Sequence, residues 1–195
     1  MFAEAGAVVA DQVLLRDANL PVDPADSGQL DFVARGLRGF GRPVCADATI
    51  ISPLHRDGTP WPHAPEEDGV SFGRAIRDKE ATYPELAEPN PYGDLVVLAC
   101  ETGGRWHHVA RSTVNRLIET RICTVPPILR RAAKLAFHRR WWSMLSVALQ
   151  HTVAVSLLDH PGLGAAPGVR ALPSLGEVLQ GSTVPPEASR MPFHG

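Results

Sequence analysis

The sequence predicts an α/β fold: a small mixed β-sheet flanked by helices, with a long C-terminal helix and a disordered tail. Three observations carry this. Strand-like and helix-like segments alternate in the order strand, strand, helix, strand, helix, helix. Asp94 to Cys100 is a continuous apolar run, as expected for a strand covered on both faces. The last 36 residues, 160–195, are rich in Gly, Pro and Ser and lack helical or strand periodicity. A chain of 195 residues suits one domain with appended segments. The segments expected are an N-terminal extension over 1–27, a core over 28–125, a packed helix over 126–159 and the tail over 160–195.

In the extension, Ala7 to Leu15 reads as a strand or a short helix, and Asn19 to Gly28 as a loop. Leu30 to Arg35 is a short strand. Gly36, Gly39 and Gly41, followed by Pro43, mark a turn, and Cys45 to Ser52 is a second strand. The glycines do not have dinucleotide-loop spacing, so turn chemistry is their expected role. Pro53 to Gly69 is a polar loop. A helix follows over Val70 to Thr82, stopped by Pro84, which disfavours helical geometry in the residue before it. After Asp94–Cys100, Gly103-Gly104 turns the chain into a helix over His107 to Ile122. Pro126-Pro127 open the last helix, which reaches Leu158. The first two strands are close enough for an antiparallel hairpin. The second and third are separated by a helix, which makes them parallel through a right-handed crossover.

Net charge is only −2, but it is segregated. Met1–Glu101 holds 17 acidic and 8 basic residues, and Thr102–Leu158 holds 9 basic and one acidic. A carboxylate-rich site beside a nucleic-acid surface gives this asymmetry, and so does a chance segregation of solvated faces. Cys45, Cys100 and Cys123 are scattered, which argues against a disulfide framework or a zinc site and suits a reducing compartment. His107-His108 has no matching ligand pair and reads as a helix start. The N-terminus shows no secretory signal pattern. Trp141–Leu158 runs 18 residues without a charge, yet a polar stripe through 139, 143, 146 and 150 points to a buried core helix rather than a membrane span.

A hairpin turning near Gly39 brings together residues whose numbers sum to about 78, which sets Asp31 opposite Asp47. Two facing carboxylates repel unless a cation sits between them, so they either hold a hard divalent ion or point separately to water. Lys79 shares one helical face with Phe72, Ile76 and Tyr83. It either snorkels to the sheet's edge or reaches over the sheet toward Asp47. Glu101, ending the buried strand, either joins the acidic site or caps the Gly103-Gly104 turn. Arg130-Arg131-x-x-Lys134 and Arg139-Arg140 beside Trp141-Trp142 suit phosphate contacts and base stacking, or a basic exposed face with its tryptophans in the core.

These segments together resemble a known family. The segments are Leu30-Asp31-Phe32-Val33, Cys45-Ala46-Asp47-Ala48-Thr49-Ile50-Ile51-Ser52-Pro53-Leu54, Lys79-Glu80-Ala81-Thr82-Tyr83 and Val96–Gly103. They look like the restriction-endonuclease-like, PD-(D/E)XK-type domain of non-LTR retroelement proteins, over roughly residues 28–125. Leu30 stands where that family has proline. No lysine follows Asp47 by two positions, so the lysine role falls to Lys79, and Pro84 directly follows Tyr83.

The resemblance implies a DNA-nicking phosphodiesterase using Mg²⁺ or Mn²⁺, with Asp31 and Asp47 as metal ligands. Lys79, Tyr83 and Glu101 join them as catalytic candidates. Arg105, Arg130, Arg131, Lys134, Arg139 and Arg140 are the candidate nucleic-acid contacts. DNA is the expected partner, RNA a second nucleic-acid partner, and no membrane is expected. Related proteins are fused to a reverse transcriptase, and the expected location is intracellular, the nucleus included. The alternative is an inactive relic serving as a nucleic-acid-binding or protein-interaction module.

Overall fold

Alternating apolar residues and a chain reversal at three glycines build the centre of the sheet. A computed structural model describes residues 1–23, 25–55, 57–64, 66–86 and 90–158. Four strands, β1 (Val8–Leu14), β2 (Gln29–Arg35), β3 (Val44–Ile51) and β4 (Asp94–Glu101), lie side by side in chain order. β1–β2 and β2–β3 are antiparallel, and β3–β4 is parallel. Gly36, Gly39 and Gly41 all have positive φ in the β2–β3 reversal. Phe32 faces Ala46 and Val33 faces Cys45, the register that a turn at Gly39 requires. The α/β class, the mixed sheet and the long C-terminal helix are therefore as the sequence predicts.

The N-terminal extension is part of the sheet, which corrects its placement outside the core. Leu30, Val33 and Ala34 on β2 are all but inaccessible, and β3 covers only one edge of that strand. β1 supplies the other edge, pairing from Val8–Arg35 to Leu14–Gln29. Phe2 and Ala5 are buried with it. One compact unit covers Met1–Val153, so the boundaries at 28 and 126 do not separate bodies. In the second unit, Ala154–Gly195, only 154–158 is described, and the expected tail over 160–195 lies outside the described residues.

Helix α1 (Val70–Thr82) crosses between the parallel strands. Gly69 precedes it at φ 80°, a conformation that strains any residue with a side chain. The chain passes so close at Gly93 that a β-carbon there would lie 2.8 Å from the Pro43 carbonyl oxygen. That approach lets the Asp94 amide bond the same carbonyl and start β4 beside β3. Phe72 and Ile76 of α1 pack on Val97, Ala99 and Leu95. On the opposite face, Val114, Leu117, Ile118 and Ile122 of α2 (His108–Ile122) pack with Trp141 of α3 (Arg130–Leu158) over Ala34, Val44 and Ala46.

α3 is not the buried core helix expected. Within it only Trp141 and Leu149 are buried, while Met144 and Val147 stand in solvent, Val147 at 69 % exposure. Its packed residues, Ala133, Phe137, Trp141, Trp142, Leu145 and Leu149, form a stripe too narrow to bury the helix. The segment Pro127–Leu158 has the length and composition to cross a bilayer. The N-terminal turn docks on the same stripe: the Trp141 indole N–H donates to the Glu4 carboxylate at 2.7 Å and Arg140 pairs with it at 2.6 Å. The Trp141 bond, followed by Arg140, holds the Glu4 carboxyl below its usual range.

Candidate active site

Asp47 sits where α1 crosses β3. Its side chain faces the helix because it shares the parity of Cys45, which packs with Tyr83 in the cluster beneath α1. The residue is 3 % exposed. Such burial of a carboxylate is tolerated only with partners, and Asp47 has two from one helical face. The Lys79 ammonium lies 2.8 Å from Oδ1 and 2.9 Å from Oδ2. The Tyr83 hydroxyl lies 2.5 Å from Oδ2 and 2.8 Å from the Gln29 carbonyl oxygen. Lys79 therefore reaches over the sheet rather than snorkelling away. Its side chain keeps 31 % exposure, so the ammonium side of the cluster opens to solvent.

Pro84 does not misplace these groups. It ends α1 after Thr82, and Tyr83 takes φ −122° while its amide still bonds the Lys79 carbonyl. The four-residue spacing is kept through that last turn, and both side chains meet one carboxylate. Burial, then the bond to Asp47, then the charges of Asp47 and Asp31 push the Tyr83 phenol far above its ordinary value.

Asp31 stands one step beyond the last registered β2–β3 pair, Phe32–Ala46, and so opposite Asp47. Directly opposed antiparallel residues have Cα atoms about 4.5–5.5 Å apart. The Asp31 carboxylate accepts the Ala48 amide at 2.6 Å through Oδ2 and has no cation partner among the described residues. Two carboxylates and one ammonium leave one uncompensated negative charge at the cluster. No group of three or more His, Cys, Asp or Glu side chains able to hold a metal occurs among the described residues. The donor set still fits a hard divalent cation, since Mg²⁺ is commonly held by one or two carboxylates and completed by water.

Glu101 is elsewhere. In the parallel register Asp47 faces Val97 and Ile51 faces Glu101, four residues further along. At about 3.3 Å per residue the two acids are separated by roughly 13 Å along the strands. Glu101 accepts the Ser71 hydroxyl at 2.8 Å and lies 3.6 Å from Arg105, which also pairs with Asp68 at 2.9 Å. That arrangement ties the start of α1 to the end of β4, and it removes Glu101 from the Asp47 cluster.

The candidate nucleic-acid contacts divide in the same way. Arg105 is held by the two acids just named. Arg130 bonds the Val125 carbonyl, Lys134 pairs with Glu119, and Arg140 with Glu4. Arg131 and Arg139 have no partner among the described residues. Arg111 and His138, which are not among the sequence candidates, lie with Trp106 and Trp142 around a cleft between α2 and α3. A signal was present, since each helix carries one such pair at four-residue spacing: Arg111 and Asn115, His138 and Trp142.

A second cleft, of about 420 Å³, lies on the far side of Tyr83 and is lined by Ile76, Glu80, Tyr83, Val97 and His107. Neither Asp31, Asp47 nor Lys79 lines it, so it is separate from the acidic cluster. No protein-family model, curated protein or solved structure matches this chain.

Proposed function

We propose that this chain is a restriction-endonuclease-like domain that hydrolyses DNA phosphodiesters with the help of Mg²⁺ or Mn²⁺. The observation that carries this reading is the Asp47 carboxylate, buried between Lys79 and Tyr83 and opposed by Asp31 across the hairpin. The residue pattern quoted above supports it, because the family it resembles uses this set of side chains. In this reading Asp31 and Asp47 hold the ion. When bound, the ion polarises a phosphate oxygen and lowers the pKa of a coordinated water. Tyr83 fixes the Asp47 carboxylate in one orientation, with its hydroxyl set between that carboxylate and the Gln29 carbonyl. Lys79 holds a positive charge at the open side of the cluster, where it offsets charge developing on phosphate oxygens.

Nicking of supercoiled plasmid in Mg²⁺ or Mn²⁺ tests the reading. Activity is expected to vanish on chelation and in Asp47→Ala. It is also expected to vanish in Asp31→Asn. That near-isosteric change at a half-buried position keeps an oxygen to accept the Ala48 amide and should cost about 1 kcal/mol or less. Cleavage indifferent to chelation, or to both substitutions, would overturn the proposal.

A second reading is favoured by one observation: both Asp47 oxygens are already engaged by Lys79 and Tyr83. The cluster then serves as a structural polar lock in an inactive descendant that binds nucleic acid or protein. Salt-sensitive DNA binding with no cleavage in any divalent metal would select it.

A further inference from the structure

The cleft between α2 and α3 has an unusual lining. It is an open groove of about 430 Å³, a volume within the range of small-ligand sites. Arg105, Arg111, Asn115 and His138 surround it, with the indoles of Trp106 and Trp142 as its apolar surface, and no carboxylate lines it. The indoles meet edge to face, centroids 5.9 Å apart at 69°, and the His138 ring approaches Trp142 at 6.3 Å. Both indoles are only partly buried, so each leaves surface open to a ligand.

The groove is built rather than incidental. Arg111 and Asn115 stand one turn apart on α2, and His138 and Trp142 one turn apart on α3. Trp106 is pinned from the third side by its bridge to Cys100 on β4. Arg105 is oriented by Asp68 and Glu101, whereas the exposed Arg111 has no partner among the described residues. An aromatic surface ringed by cations and one amide matches a planar base joined to a phosphate. An acidic peptide would use the cations and leave the indoles without a stacking partner.

We infer that this cleft binds one unstacked nucleotide of a single-stranded nucleic acid, its base against Trp106 and Trp142 and its phosphate on Arg111. The site lies on the sheet face opposite α1 and is separate from the Asp47 cluster. It shares only its polymer with the nuclease reading and does not need a metal.

The test is fluorescence anisotropy of a labelled dT12 strand with the intact chain in EDTA, alongside a labelled duplex of equal length. Arg111→Glu, a change at an exposed helix position, should weaken dT12 binding about tenfold and leave duplex binding within about twofold. Trp142→Phe should reduce the quenching of tryptophan emission that dT12 produces, and Arg131→Glu, outside the cleft, should affect both probes equally. Binding is read in EDTA, without the metal that nicking needs, and nicking is scored separately in Mg²⁺, which separates failure of this site from failure of the nuclease proposal. No dT12 binding by the unaltered chain would overturn the inference. So would equal losses for both probes in Arg111→Glu, no loss for either, or equal competition by a poly-glutamate peptide.

Discussion

Two buried acids stand at different heights on the same pair of parallel strands, and each is gripped by α1. Asp47 takes Lys79 and Tyr83 from the last turn of that helix, while Glu101 takes Ser71 from its first. Each also lies close to a cation. The difference is where the cation goes next. Arg105 continues to Asp68, an exposed carboxylate that water already solvates, so the Glu101 cluster closes on itself. Lys79 stops at Asp47, and the opposing Asp31 is left with a backbone amide as its only partner among the described residues. Both clusters hold two carboxylates and one cation, but Arg105 reaches both of its acids whereas Lys79 reaches only one. In the proposed reading a metal ion would supply the charge that Asp31 lacks.

Substitution of Asp47 should give the largest effect. Asp47→Ala strips acceptors from a buried hydroxyl and a half-buried ammonium, and breaking a buried pair costs about 3–5 kcal/mol. Lys79 reaches solvent, so the lower end, about 3 kcal/mol, is expected in a urea-unfolding midpoint. Nicking should fall to background in the same protein. A stability loss below about 1 kcal/mol would show that the Lys79 and Tyr83 contacts are not maintained in solution.

Glu101→Ala comes next. It frees Ser71 and one side of Arg105, for about 1–2 kcal/mol, with nicking retained. Retained nicking together with loss in Asp31→Asn would establish the contrast between the two acids. Lost nicking in Glu101→Ala at full stability would erase it.

The contrast was readable in the sequence at some positions and hidden at others. The glycine turn set the hairpin register, and the register put Asp31 opposite Asp47, because strand pairing is a local count from a turn. Lys79 and Tyr83 were readable as one face because helical spacing is regular. The place of β1 was not readable. Val8–Leu14 has an ambiguous pattern, and only the need of β2 for a second edge partner settles it, which is a tertiary fact. α3 misled for a related reason: an apolar composition cannot say how many of its faces find neighbours, and one stripe did. The groove partners Arg111 and His138 come from helices whose juxtaposition the spacing alone does not give.

Tyr83→Phe probes the Asp47 side most finely. Loss of one hydroxyl that bonds Asp47 and the Gln29 carbonyl should cost about 1 kcal/mol near neutral pH. The phenol's folded pKa is raised above its unfolded value of 10.0, first by burial and then by Asp47. A raised pKa means that, above the unfolded value, the unfolded chain sheds the proton while the folded chain keeps it. The contribution is therefore fully present below pH 10 and falls as pH climbs beyond it. Urea midpoints of the unaltered chain and Tyr83→Phe should accordingly differ by a constant amount up to about pH 9.5 and converge above it. A gap that stays constant through pH 11 would mean the hydroxyl is solvated rather than locked on Asp47, and the orientation of that carboxylate would then have to come from Lys79 alone.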